Sequence, residues 1–334
     1  MKQTSYYIKA ICLFFSISFL VAGIAAAIYL NCWNDVLPGL YNITTLPAPL
    51  VTDYYQLGNL SSAFFNAAIC GASCCAFMVI GKCNCQPSFL AGYFLVVAHC
   101  FYGLNFLNMW PPMLGIYVFT RFMKISYRDN FSMAMFSTAF GPFVTELLFR
   151  YHVNTSYEVE VLQISWLGFL YMVGFCLFLG FAIPAMLPGA LRLHKGYNLF
   201  NGGLAFGLLG LFLYAYLYKT FNIAPPESFT QINTTYLSHG NSYQSFIVIY
   251  YCIVFIIILL SGWYLNGMTF DGYQSLLRSS RHGVCFFDQF GAPLVLINIG
   301  VYGFMMLAYF LAVIMFTRGN GFTGPTTGII LASI

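Results

Sequence analysis

The feature that most constrains this chain is a series of apolar runs, each long enough to cross a bilayer as a helix. A membrane-spanning helix needs about 20 mostly apolar residues. Eight runs meet this length, at residues 8–30, 57–81, 88–108, 131–150, 161–186, 197–219, 245–266 and 291–317. A ninth, shorter run at 113–123 follows Pro111 and Pro112, where two prolines prevent a continuous helix.

The composition argues against a water-soluble fold. Only 7% of the 334 residues are charged, whereas a soluble domain carries about 25%. Such a chain cannot cover a large water-facing surface, so its apolar helices must face lipid. The sequence therefore predicts an all-α, polytopic transmembrane bundle of about nine spans plus a shortened one, with the lipid bilayer around it.

Other partners and cofactors find little support in the sequence. The 13 basic residues are scattered rather than clustered, which argues against nucleic acid. Most of the 11 cysteines lie in apolar runs and none has the spacing of a zinc site, so we expect no metal and no cofactor. Catalytic motifs are absent and the loops are too short to fold as a catalytic domain, so we do not expect an enzyme.

The N-terminal run and the basic residues predict the orientation. The run has about 21 apolar residues, more than the roughly 7–15 of a secretory signal core, so we expect it to remain as the first span. Positive charges mark cytoplasmic loops. If 113–123 is a short crossing, ten basic residues lie on the same side of the membrane as the N-terminus. They are Lys2, Lys9, Lys82, Arg121, Lys124, Arg128, Arg192, Lys195, Arg278 and Arg281. The pattern predicts a multi-pass inner-membrane protein with a cytoplasmic N-terminus.

An internal repeat relates an early segment to the end of the chain. The matching positions are Asp53–Gly58 with Asp288–Gly291, Asn66 with Asn298, Gln86-Pro87 with Gly324-Pro325, and Gly92 with Gly328. The two copies are expected to have inverted topology, as in many secondary transporters. We divide the single transmembrane domain, 1–334, into 1–49 (first span and external loop), 50–190 (first repeat), 191–284 (connecting spans) and 285–334 (start of the second repeat). Because the last helix stops at half a span, we expect a C-terminally truncated chain lacking roughly a hundred residues.

The chain resembles an uncharacterised family of bacterial multi-spanning membrane proteins, known only as a domain of unknown function. The motifs that carry the resemblance occur in the order LVTDYYQLGNLSSAFFNAA, YGLNFLNMWPPMLGIYVFTRF, STAFGPFVTELLF, RLHKGYNLFNGGLAFGLLG and GFTGPTTGII. The resemblance implies a fold but no activity. A shorter stretch, Tyr197–Leu204 with Gly207, is similar to a helix opening in urea channels, which are built of inverted repeats with half-length helices.

Polar side chains inside spans are costly and usually face a cavity or a partner. The candidates for a solute path are Asn66, Asn298, Asn201, Asn105, Glu146 and His99. Asn66 and Asn298 match in the repeat and are expected to meet near the midplane, where an amide suits a neutral polar solute. The alternatives are that the amides only join helices, that Glu146 pairs with Arg150 four residues on, and that His99 bonds a neighbouring helix.

Helix breaks are predicted at Pro87, Pro111, Pro112, Pro142 and Pro325, with a further one at Pro188-Gly189. A break inside a membrane frees backbone groups, which are tolerated only within protein or along a cavity; alternatively, several breaks mark loop ends. These features predict a channel or secondary transporter for a small polar solute, with homo-oligomerisation left open. The alternatives are a membrane enzyme acting on a lipid-linked substrate through Glu146, Asp53 and Asp288, and a scaffold without substrate.

Overall fold

The computed structural model describes residues 2–45, 52–150, 166–194, 201–220, 234–279, 285–317 and 322–334. Across these ranges the chain is helical and contains no β-strand. The helices, numbered along the chain, are α1 (Lys2–Tyr29), α2 (Val36–Thr45), α3 (Tyr54–Leu57), α4 (Leu60–Ile80), α5 (Pro87–His99), α6 (Trp110–Phe122), α7 (Phe131–Ser137), α8 (Gly141–Arg150), α9 (Trp166–His194), α10 (Asn201–Tyr214), α11 (Thr234–Leu265), α12 (Tyr273–Leu277), α13 (Phe286–Thr317) and α14 (Gly324–Ala332).

Seven helical segments in the described part of the chain are long and apolar enough to cross a membrane. They are Gln3–Tyr29, Leu60–Ile80, Phe131–Leu148, Trp166–Leu187, Gly202–Lys219, Tyr243–Leu265 and Phe286–Phe316. The third joins α7 to α8 through a 3-10 turn, and the fifth extends α10 by a π-helical turn, Ala215–Thr220. These segments confirm the predicted all-α, polytopic bundle, and their exposed apolar side chains form a surface suited to lipid.

The predicted span over 88–108 is wrong in its second half. Helix α5 stops at His99, and residues 100–109 form a turn, buried except at Tyr102, Phe106 and Leu107, before α6 begins at Trp110. Each of these helices has 13 residues, which at about 1.5 Å per residue is roughly 20 Å, short of the roughly 30 Å hydrocarbon core. The apolar run continues through the turn because the turn lies inside the protein, where hydropathy alone does not separate helix from loop.

The helices have two distinguishable ends, set by hydrogen bonds between distant segments. At one end the Cys85 amide donates to Ser5 Oγ (2.9 Å) and Arg128 Nη1 donates to the Gly81 carbonyl (3.3 Å). We call this the Ser5 end. The start of α5 and the end of α6 both lie here, so the α5–α6 pair enters the bundle from the Ser5 end and returns to it.

The opposite end, which we call the Asp53 end, holds α2, α3 and the start of α4. Ser62 Oγ donates to the Val36 carbonyl (2.9 Å), and Asn59 Nδ2 donates to the Asp35 carbonyl (3.0 Å). These bonds fix the short helix α2 to the first turn of α4. Asn59 also caps α4, because its side chain accepts a hydrogen bond from the Ser62 amide (2.7 Å).

Close packing in the bundle relies on glycine at helix crossings. On α6, a Cβ added to Gly115 would overlap the Cys176 carbonyl of α9, and a Cβ on Gly180 would overlap the Gly115 carbonyl. Small residues let transmembrane backbones approach closely, where dispersion contacts replace a hydrophobic driving force. Helix α9 runs on through Pro188, contrary to the predicted break, whereas α13 bends at Gly291 (φ 77°, ψ 163°).

Candidate functional site

The turn between α5 and α6, residues 100–109, is the centre of the candidate site. Gly103 has φ 140°, a conformation that residues with a side chain rarely adopt. Two prolines lie in the first turn of α6, where the backbone amides have no helical partner to bond. Phe101, Leu104 and Met109 are fully buried. A buried turn leaves backbone carbonyls and amides without helical partners, and these groups must be bonded elsewhere.

Asn66, from the second turn of α4, bonds two of the carbonyls in the 100–109 turn. Its Nδ2 donates to the carbonyl of Cys100 and to that of Leu104, both at 2.8 Å. Both amide protons are therefore used, and Oδ1 has only a long contact with the Cys70 thiol, at 3.9 Å. Oδ1 is therefore the atom of Asn66 with unused capacity to accept a hydrogen bond.

Asn105 and Asn108 stabilise the rest of the turn. Asn105 Oδ1 accepts from the amides of Leu107 (2.9 Å) and Asn108 (3.0 Å), and its Nδ2 donates to the Ile43 carbonyl of α2 (2.9 Å). Asn108 accepts from the Asn105 amide (2.8 Å) and donates to Thr145 Oγ1 of α8 (2.8 Å). The turn is thus bonded to α2, α4 and α8.

Helix α14 approaches the turn from the Asp53 end. A Cβ on Gly324 would overlap the Phe101 carbonyl, and one on Gly328 would overlap the Tyr102 ring. A Cβ on Gly328 would also lie 2.5 Å from the Ala98 carbonyl. Later residues of α14 therefore meet earlier residues of α5, so these two short helices pack antiparallel.

Asp53 connects α14 to the turn of α3. Its Oδ1 accepts from the amides of Tyr55 and Gly324, each at 2.9 Å. Thr323 and Thr326 form a capping box on the same helix start. Burial raises the pKa of the Asp53 carboxyl to about 6, although hydrogen bonds from Tyr55, Gly324 and Gln56 act in the opposite direction.

Two tyrosines bind Thr327, the fourth residue of α14. Tyr55 OH donates to Thr327 Oγ1 at 2.8 Å, and Tyr251 OH, from α11, donates to the Thr327 carbonyl at 2.7 Å. These three residues do not stand out in the sequence, because one hydroxyl in an apolar run is common. The only signal was their surroundings: Tyr55 and Thr327 lie in the DYYQLG and GPTTG motifs.

The other predicted path residues are in separate surroundings. Asn298 Oδ1 accepts from Tyr273 OH at 3.4 Å, so the two matched asparagines have different partners. His99 Nδ1 lies 2.8 Å from the Leu95 carbonyl of its own helix. Glu146 is buried in α8, but the side chains of Arg150 and Asn201 lie outside the described residues.

The predicted proline breaks lie at helix starts. Helix α5 begins at Pro87, α6 carries Pro111 and Pro112 in its first turn, and α14 carries Pro325 in its first turn. Pro142 is the second residue of α8, directly after the 3-10 turn Thr138–Phe140. Among the described residues, no group of three or more His, Cys, Asp or Glu side chains is arranged to hold a metal ion.

The fold and the buried turn define a polytopic α-helical membrane protein. Residues 33–219, more than half of the chain, match the family described as protein of unknown function (DUF1576). The chain belongs to this family, which confirms the predicted membership of an uncharacterised family. No curated protein and no solved structure gave a significant match.

Proposed function

We propose that this membrane protein is a channel or secondary transporter for a small polar solute. The observation that carries the proposal is the antiparallel packing of α14 against the half-length helix α5, beside a turn inside the bundle. Transporters and channels built from inverted repeats place solutes at such discontinuous helices. Non-helical backbone at membrane depth is tolerated only where protein or a cavity satisfies it.

The same packing supports the proposed repeat of 50–190 and 285–334. Helices α5 and α14 occupy matching repeat positions, and they run in opposite directions, as two inverted copies require. In this proposal the path passes the turn at residues 100–109 and includes Asn66 and Asn105, with Asn298, Asn201, Glu146 and His99 as further candidates. Oδ1 of Asn66 favours a solute that donates hydrogen bonds.

The arrangement of basic residues supports a cytoplasmic Ser5 end in a bacterial inner membrane. Lys9, Lys82, Arg121, Lys124 and Arg128 all lie towards this end, on α1 or beside the ends of α4 and α6. Excess Lys and Arg is typical of cytoplasmic loops. No ATP-binding motif occurs in the sequence, so a solute or ion gradient is the proposed driving force.

Solute flux into proteoliposomes tests the proposal directly. Urea, ammonium and small polyols are to be compared with and without a proton gradient, against protein-free liposomes. We expect uptake of at least one solute, abolished by Asn66→Leu and retained by Ser73→Ala, a change near the outer surface of the same helix. Absence of uptake of every solute by monodisperse, folded protein would contradict the proposal.

A scaffold without substrate is the second candidate. It is favoured by the complete use of the Asn66 donors inside the protein, since an amide bonded only to backbone carbonyls needs no solute. The flux experiment separates the two: a scaffold gives none, whatever the solute.

A further inference from the structure

We propose that Asp53 is a proton-binding site, and that proton binding favours the arrangement in which α14 is docked against α3 and the α5–α6 turn. That this proton is coupled to solute transport rests on the proposed function, whereas its effect on the docking of α14 does not. The site is defined by the position of the Asp53 carboxyl between two helix starts. One carboxyl oxygen, Oδ1, bonds the first amides of two helices from opposite ends of the chain.

The second oxygen has a different environment. Asp53 Oδ2 is buried and accepts no hydrogen bond of ordinary geometry from a described residue. The Gln56 side chain lowers the pKa of the carboxyl, but burial has the larger effect. A charged carboxylate buried in this way lacks part of the solvation it would have in water. A proton on Oδ2 removes the charge and leaves Oδ1 as an acceptor for both amides.

Among the described residues, the groups around Asp53 do not supply a compensating positive charge. The helices that pack against α3 are α2, α4 and α11, and those that pack against α14 are α5 and α13. No charged side chain of the described residues acts on the Asp53 carboxyl. Among the side chains that the structure describes, the ionisable groups of α2, α3, the turn and residues 243–251 of α11 are the phenols Tyr41, Tyr54, Tyr55, Tyr102, Tyr243, Tyr250 and Tyr251 and the thiol Cys100, and α14 has none. His99 lies at the end of α5, hydrogen-bonded to Leu95.

The direction of the effect follows from linkage. Burial raises the pKa of Asp53 from 3.8 to about 6 in the docked arrangement. If α14 moves away and water reaches the carboxyl, the pKa returns towards the ordinary value, so the docked form binds the proton more tightly. Docking is therefore strengthened as pH falls from above 6 towards 4, and the ratio of docked to undocked protein is expected to rise about tenfold from pH 8 to pH 5.

Hydrogen exchange of the full chain in lipid nanodiscs measures this ratio without a transport assay. The peptide containing residues 322–334 is to be followed at several values between pH 5 and pH 8, after correction for the intrinsic pH dependence of exchange. We expect protection to rise about tenfold towards pH 5 in the wild type, to become independent of pH in Asp53→Asn, and to follow the wild type in Asp35→Asn. Asp35 is the matched control because its carboxylate lies at the same end and only its backbone carbonyl bonds Asn59.

Wild-type protection that does not change with pH would overturn the proposal without any variant, as would an unchanged pH profile in folded Asp53→Asn. If Asp53→Asn does not fold, the wild-type profile and an infrared band of a buried protonated carboxyl, growing in below about pH 6, remain as the test. A normal pH profile with no solute flux would contradict the proposed transport and leave the proton site standing. Solute flux without a pH dependence of hydrogen exchange in α14 would support the proposed transport and contradict the proton site.

Discussion

Tyr55 donates a 2.8 Å hydrogen bond from its hydroxyl to Oγ1 of Thr327, 272 residues further along the chain. Both groups are buried, so neither can exchange this bond for one with water. Together with the bond from Tyr251 to the Thr327 carbonyl, it fixes α14 inside the bundle. Helix α14 is thus held by side chains of α3 and α11.

The Tyr55–Thr327 bond is expected to show energetic coupling. Tyr55→Phe and Thr327→Val should each lower the free energy of unfolding by about 0.6–1.5 kcal/mol, and the double variant should lose less than the sum. Thr327→Val keeps the bond from Tyr251, which uses the backbone. Thermal unfolding of the four proteins in one detergent measures the coupling, with Tyr41→Phe, at an exposed position on α2, as control. Strict additivity would mean that the bond contributes nothing.

Loss of the Asn66 amide is expected to destabilise the turn at residues 100–109. Asn66→Leu leaves the Cys100 and Leu104 carbonyls buried without this donor, which costs about 1–3 kcal/mol. Hydrogen exchange should show faster exchange in the peptide covering the turn, and unfolding should shift to lower temperature. Ser73→Ala, on the same helix, should change stability by less than about 0.5 kcal/mol. Equal behaviour of the two variants would show that the turn does not depend on Asn66.

The α6–α9 crossing should not tolerate a methyl group. Gly115→Ala places a Cβ against the Cys176 carbonyl, which belongs to backbone and cannot rotate away, so we expect a loss of about 1–3 kcal/mol. Gly174→Ala is the matched control on α9, since its Cβ would meet nothing within 4 Å. It should stabilise its helix by about 0.5–1 kcal/mol through backbone entropy. Unfolding midpoints of the two variants should therefore move in opposite directions.

The α5–α14 contact gives a second test of the same kind. Gly328→Ala would bring a Cβ into the Tyr102 ring and close to the Ala98 carbonyl, so α14 must shift outward. We expect faster hydrogen exchange in residues 322–334 and, if the proposed path is right, altered solute flux. Gly207→Ala, where nothing lies within 4 Å of the added atom, should leave both unchanged. Unaltered exchange in Gly328→Ala would mean that α14 does not depend on this contact.

The spans could be predicted from sequence because the bilayer imposes one strong requirement, a run of about 20 apolar residues. The α5–α6 turn could not be placed in the same way. Its residues Phe101, Leu104 and Phe106 are as apolar as those of a span, so hydropathy continued the helix past His99. Proline marked the start of α6 correctly, because Pro111 and Pro112 restrict the backbone locally and independently of the fold.

For the site, the sequence predicted which side-chain amides are costly to place in a membrane, but not which groups they bond. Asn66 and Asn105 stood out by type and position, whereas Tyr55, Tyr251 and Thr327 did not, and Asn66 and Asn298 have different partners. By itself the sequence determined membrane insertion and the helix starts that proline marks, because these follow from local apolarity and backbone restriction, whereas the predicted nine spans exceed the seven candidate spans of the described residues. Only the tertiary structure decided that Asp53 meets Gly324 and that the turn is closed by asparagines, because a hydrogen bond forms only where packing brings its two groups within about 3 Å.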